Sequence, residues 1–326
     1  MKTLSLLATL LICCNLPAQD YLSCQRVFSR VDGDVFANDL PAAMQRIDSI
    51  YDAYDFIYAR HCIKSLQICC KANDSLRAEK WLSRCFTQGV PVWVIRNNEL
   101  MKKSFSFQNT LAVIGNYDSL HAIYERSYDH ELRAELDSLI ELDQARTKKV
   151  NEVFIPFRPG VYFRWKQNNK RQAERIREII QEHGYPGERL IGLPQTIVDS
   201  AVNYKYLVRY GPNLGETSAY YMLIHYYSTP REDMNELLMK SLVLGYLPPE
   251  FYATWNDFMA RYGRKKEGHL YYNQWHDDLE TALHREAIDR RRHAIGLNTL
   301  EEKERNRSVL SERRKAGSSN SEVVLE

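Results

Sequence analysis

FIYARHCIKSLQICCKANDSLRAEKWLSRCFTQGV, residues 56–90, decides how the whole chain is read. Apolar residues recur every three or four positions, the polar KAND at 71–74 interrupts them, and the same period then resumes. Asp74 stands where a second helix needs a capping side chain, and Gly89 followed by Pro91 ends that helix. The stretch therefore predicts two antiparallel helices joined by a short turn. That turn places Cys62 opposite Cys85 near the open end. A disulfide there would cross-link the hairpin, worth about 2–4 kcal/mol in the usual loop-entropy model. The other reading is that both are small buried residues that let the helices approach closely.

Ala78 and Cys85 lie one heptad apart on the second helix, where tetratricopeptide-type hairpins carry small residues. The stretch resembles one such unit, without the Trp and Tyr of that motif; a plain antiparallel helix pair is the alternative. Downstream, shorter helices are expected over 97–128, with Asn116 and Asp118 marking a turn or cap. Asp129 then caps a long stripe of Leu132, Leu136, Leu139 and Ile140 that runs to about Lys149. VFIPFRPGVYFRW, 153–165, carries two prolines among aromatic residues and reads as a loop or short hairpin. Helices follow at about 167–183, 194–210, 216–228, 231–244, 249–262 and 276–294. From Glu301 the chain has few large apolar residues and reads as a disordered tail. The expectation is an all-α protein: hairpin region 19–128, a multi-helix domain 129–300 and a tail 301–326.

Between two of these helices lies HGYPGERLIG, 183–192. Gly184 falls where a helix C-terminus needs a left-handed residue, and Pro186 blocks continuation. A phosphate-binding loop would need GxxxxGK[ST], or GxGxxG between a strand and a helix. Neither spacing is present, so the segment reads as punctuation.

The N-terminus, MKTLSLLATLLICCNLPAQD, has Lys2 and then a largely apolar run from Leu4 to Cys14. This is signal-peptide patterning, with cleavage expected after Ala18; lipid anchoring at Cys13 or Cys14 ranks second. No other stretch reaches the roughly 18 apolar residues of a membrane helix. An exported protein, periplasmic or secreted, follows as the expectation. The net charge of +2 would fall to +1 when Lys2 is removed. Charges of both signs are interspersed, which argues against a nucleic-acid or acidic-membrane partner. Cys24, Cys62, Cys69, Cys70 and Cys85 would remain, without a zinc-site spacing. No cofactor motif is present, and neither a nucleophile elbow nor HExxH nor SxxK appears.

Several short segments are similar, in order, to an uncharacterised bacterial family catalogued as domain of unknown function 6624. They are DSLIELDQARTKK (137–149), IREIIQEHGYPGERLIG (176–192), YYMLIHYYS (220–228), FYATWNDF (251–258), LYYNQW (270–275) and DRRRHAIGLNTLEE (289–302). The resemblance implies organisation from about Asp129 to Leu300 and no stated activity. It marks Asp143, Arg146, His225, Asp257 and Gln274 as candidate site residues. The sequence departs from the pattern at Ile224, Phe258 and His269, which removes an amide and a guanidinium that would orient a substrate. Each candidate also has a plainer reading. His225 sits in an apolar helix as a core histidine would, and Asp143 and Arg146 have ion-pair spacing. His276, Glu280 and His284 read as an exposed polar stripe. Of the 21 tyrosines, 12 lie between Tyr204 and Tyr272, lining either a core or a groove. Two functions follow as expectations. One is an exported binding or scaffold module with a protein or peptide partner. The other is a hydrolase-like enzyme built on the five candidates.

Overall fold

The computed structural model describes residues 19–96, 98, 100–101, 108–152, 158–193, 219, 222–223, 234–262, 272 and 281–315. Fourteen helices and no strand occur among the described residues, so the chain is all-α. In order they are α1 (Tyr21–Phe36), α2 (Leu40–Tyr51), α3 (Ala59–Lys71), α4 (Ser75–Thr87), α5 (Val92–Arg96), α6 (Gln108–Gly115) and α7 (Tyr117–Glu125). Then come α8 (His130–Glu152), α9 (Arg158–His183), α10 (Glu188–Ile191), α11 (Asn235–Val243), α12 (Pro249–Tyr262), α13 (Thr281–Ala294) and α14 (Leu300–Lys315). None of the described helices is long and apolar enough to cross a membrane.

Local chemistry sets most helix ends. Asp74 accepts the Arg77 amide hydrogen at 3.0 Å and starts α4; Asp129 accepts that of Leu132 at 2.9 Å and starts α8. Each carboxylate satisfies an N–H that has no partner within its own helix. Asn73 (φ 59°) turns the chain between α3 and α4, and Gly184 (φ 93°) ends α9. A side chain on Gly184 would also strike the Tyr246 ring.

The buried apolar residues form two clusters. The first gathers α1 to α7 around Phe28, Ile47, Leu66, Trp81 and Phe86. The second gathers α8 to α12 and the turn after α13 around Leu136, Ile176, Ile179, Leu242 and Trp255. Leu193 belongs to the first cluster although it follows the α8–α10 segment.

Three expectations need correction. Arg158–Val161 is helical, the start of α9 and not a loop; Pro159 lies in the first turn, where its missing N–H removes no helical hydrogen bond. Leu300–Lys315 forms α14, so the tail reading fails for those residues. Leu300 and Asn306 are buried, and Val309 packs on the first cluster. Cys62 and Cys85 are free thiols, as are Cys24, Cys69 and Cys70, and all five are buried. Burial pushes both the Cys62 and Cys85 thiols up. They act as small apolar residues in the hairpin seam, the alternative reading of the sequence. The segment 1–18, most of the expected helices 194–210 and 216–228, and residues 316–326 lie outside the described residues.

Candidate functional site

The segment 183–193 joins the two clusters through side chains that carry charge. Glu188 opens α10 with its carboxyl buried, and Oε1 accepts the Ala59 amide hydrogen at 2.6 Å. Ala59 is the first residue of α3, whose N-cap Tyr58 supplies no capping side chain of its own. The helix is thus capped from 129 positions away. Burial raises the Glu188 carboxyl to about 8, although the Ala59 N–H and the Arg60 guanidinium both pull it down. Arg60 itself binds Glu250 at 2.9 Å, and the Tyr58 hydroxyl donates to the Gly245 carbonyl at 2.9 Å.

Arg189 is the second anchor. Its guanidinium lies 4.6 Å from the Tyr21 ring centroid and 5.2 Å from that of Tyr246. It donates to the Leu244 carbonyl and, at 3.0 Å, to Asp55. Tyr21 donates its hydroxyl to the same Asp55. At the far end of the segment, the Leu193 N–H donates to the Tyr124 hydroxyl at 2.6 Å. The glycine spacing is punctuation, as the sequence indicated, but Glu188 and Arg189 make the segment a joint. No short-range signal marks them, because their partners are distant in sequence.

A second polar group crosses the same boundary. Lys64 donates to Asp32 at 2.7 Å with both side chains almost fully buried. Asn298 donates to the other Asp32 oxygen at 3.3 Å, and Ser29 donates to Asn298. His61, stacked on Phe28 at 3.9 Å, meets Gln25 at 2.8 Å.

The sequence-marked candidates fall as follows. Asp143 lies on α8 and is buried, and Arg146, one turn on, is partly exposed. Facing Asp143's region, α9 presents Asn169 and Gln172, both buried. The Gln172 amide donates to the Leu139 carbonyl at 2.8 Å. Among the described residues Asn169 has no hydrogen-bond partner on either amide atom. Asp257 on α12 is completely buried and accepts the Tyr272 amide hydrogen at 2.7 Å. The Tyr272 carbonyl accepts from buried Arg292 at 2.8 Å, and Arg292 also donates to the Asn298 carbonyl at 2.6 Å. Asp257 and Arg292 thus hold the backbone of one residue, Tyr272, the first through its N–H and the second through its carbonyl. Asp143 belongs to the α8–α9 pair and Asp257 to the α11–α12 pair. His225, Gln274, His276 and Glu280 lie outside the described residues. Among the described residues no group of three or more His, Cys, Asp or Glu is arranged to hold a metal ion.

No family model, curated protein or solved structure matches this chain.

Proposed function

We propose that this protein is an exported helical binding or scaffold module that engages a protein or peptide partner. The observation that carries this reading is Asp257. Of the candidate carboxylates it is the one with a described partner in the second half of the domain, and that partner is a backbone N–H in the core. A carboxylate bonded to a peptide hydrogen and sealed from solvent holds backbone in place; catalysis needs one that reaches a substrate. The two clusters, fastened by Glu188, Arg189 and the Asn298–Asp32 hydrogen bond, supply the rigid frame a scaffold requires. The resemblance to the uncharacterised bacterial family remains part of this proposal and brings no activity with it.

The test is cross-linking in the native host, read by mass spectrometry. Recurrent links from exposed lysines to one other polypeptide are expected. Turnover of a chromogenic ester, peptide or glycoside, abolished by Asp143→Asn with the fold intact, would replace this reading with the hydrolase-like one.

A further inference from the structure

The overall charge conceals a polarised segment. Residues 146–171 hold eight lysines and arginines against Glu152 alone, a charge of +7 in a chain whose total is +2; the remainder carries −5. The fold puts the described parts of this segment, 146–152 and 158–171, at one end of the α8–α9 hairpin. Arg175 binds Glu135 at 2.6 Å, Gln172 reaches Leu139, and the Trp165 indole N–H donates to Thr147 at 3.3 Å. These three links fix an antiparallel register. The half of the hairpin nearer residues 172–183 is anchored in the second cluster by Ile176, Ile179 and Ile180. In the other half Asn169 is buried in the seam, while Lys149, Arg164, Lys166 and Arg171 are exposed.

On that half Lys148 and Lys170 have acidic partners, Glu152 and Glu174. Arg146, Lys149, Arg164, Lys166 and Arg171 have none among the described residues. Aromatic side chains stand among them. Phe163 is 61% exposed and Tyr162 is 44% exposed. Tyr162 stacks on Trp165 at 5.4 Å, and the Lys166 ammonium lies 5.0 Å from its centroid.

We propose that this end of the α8–α9 hairpin docks on the surface of an anionic bilayer, with Lys149, Arg164, Lys166 and Arg171 on the phosphates and Phe163 and Tyr162 in the headgroup layer. Exposed aromatic residues beside a dense cation cluster suit a boundary that is apolar below and anionic above. The aromatic geometry favours lipid over nucleic acid. Nucleobases bind by stacking on free ring faces, whereas Tyr162 has Trp165 against its ring and a cation over it. The proposal stands apart from the binding-module reading, since a lipid surface and a polypeptide partner are separate targets.

The chain from Gln19 onward, which holds every described residue, would be sedimented with phosphatidylglycerol–phosphatidylethanolamine vesicles and with pure phosphatidylcholine vesicles. Binding to the anionic vesicles alone, weakening with salt, is expected. Combined Lys149→Glu, Arg164→Glu and Lys166→Glu should reduce it at least a hundredfold, at about fivefold per cation. Phe163→Ser should weaken binding while leaving its salt dependence unchanged. All sites are exposed, and circular dichroism would confirm that each variant folds. Equal binding to both vesicle types, no effect of the triple substitution, or full displacement from vesicles by equimolar duplex DNA would each overturn the proposal.

Discussion

Glu188 gives the folded state an unusual dependence on pH. Its carboxyl ionises near 4.5 in an ordinary setting and near 8 in its buried one, chiefly because burial disfavours the charge. Between those values the folded chain keeps a proton that the unfolded chain has released. This contribution to stability is therefore complete below about pH 4.5 and is lost as pH rises toward 8. Glu188→Gln keeps an oxygen for the Ala59 N–H and removes the titration. In urea melts it should match the parent at pH 4 and exceed it at pH 7, by up to about 3 kcal/mol. Equal stabilities at pH 7 would show the carboxyl to be ordinary. Asn169 offers a second test at this scale. Among the described residues its buried amide has no partner, and each such desolvated group costs about 1–3 kcal/mol. Asn169→Leu should raise the melting temperature. A lower one would mean that the seam is hydrogen-bonded after all.

Individual helices differ in how openly the sequence announced them. Asp74, Asp129, Gly89 and Gly184 were legible because a cap and its helix lie within a few residues and obey local stereochemistry. Asp74→Ala should cost about 1 kcal/mol through the lost cap of α4, measurable by thermal melting. The Asp74 carboxyl is held below its ordinary value mainly by the Arg77 N–H. Hence its contribution is present above pH 3.8 and lost as pH falls further, so parent and variant should converge in acid. The start of α9 was misread because Pro159 and Gly160 signal a break unless they fall in a first turn. α14 was misread because its helix rests on a few tertiary anchors, such as Leu300 and Asn306, and carries no apolar stripe of its own. The Glu188 cap of α3 was illegible for a related reason: nothing near Tyr58 announces a carboxylate arriving from 129 positions away. Of the candidate site, Asp143 and Asp257 were singled out by pattern, and both are buried. Their partners Asn169, Gln172 and Arg292 emerged only with the packing.

At the scale of the molecule, two cores are fastened by charged groups, and the fasteners are unequal. Arg189 lies over aromatic rings from both sides of the boundary and uses both terminal nitrogens. A planar guanidinium can do this and an ammonium cannot. Arg189→Lys should therefore behave much like Arg189→Ala, splitting a single calorimetric transition into two; an unchanged single transition would assign the coupling elsewhere. Lys64 and Asp32 form a deeper pair within the first cluster, and Asn298 ties it across the boundary. Lys64→Met alone leaves a buried carboxylate without its cation and should cost about 3–5 kcal/mol, whereas Lys64→Met with Asp32→Leu should recover much of that. A double-mutant cycle in denaturant melts would measure both.

The bond between Asn298 and Asp32 spans 266 positions, and this has a consequence for how the chain is made. A ribosome delivers Asp32 and Lys64 long before Asn298. During that interval the first core is packed around a carboxylate that has not yet gained its bond to Asn298. The early unit is thus a provisional structure, held open to correction until the last quarter of the polypeptide arrives to clasp it. A stall in synthesis before Asn298 would leave behind a half-fastened intermediate, the form a proteolytic quality-control system is best placed to remove.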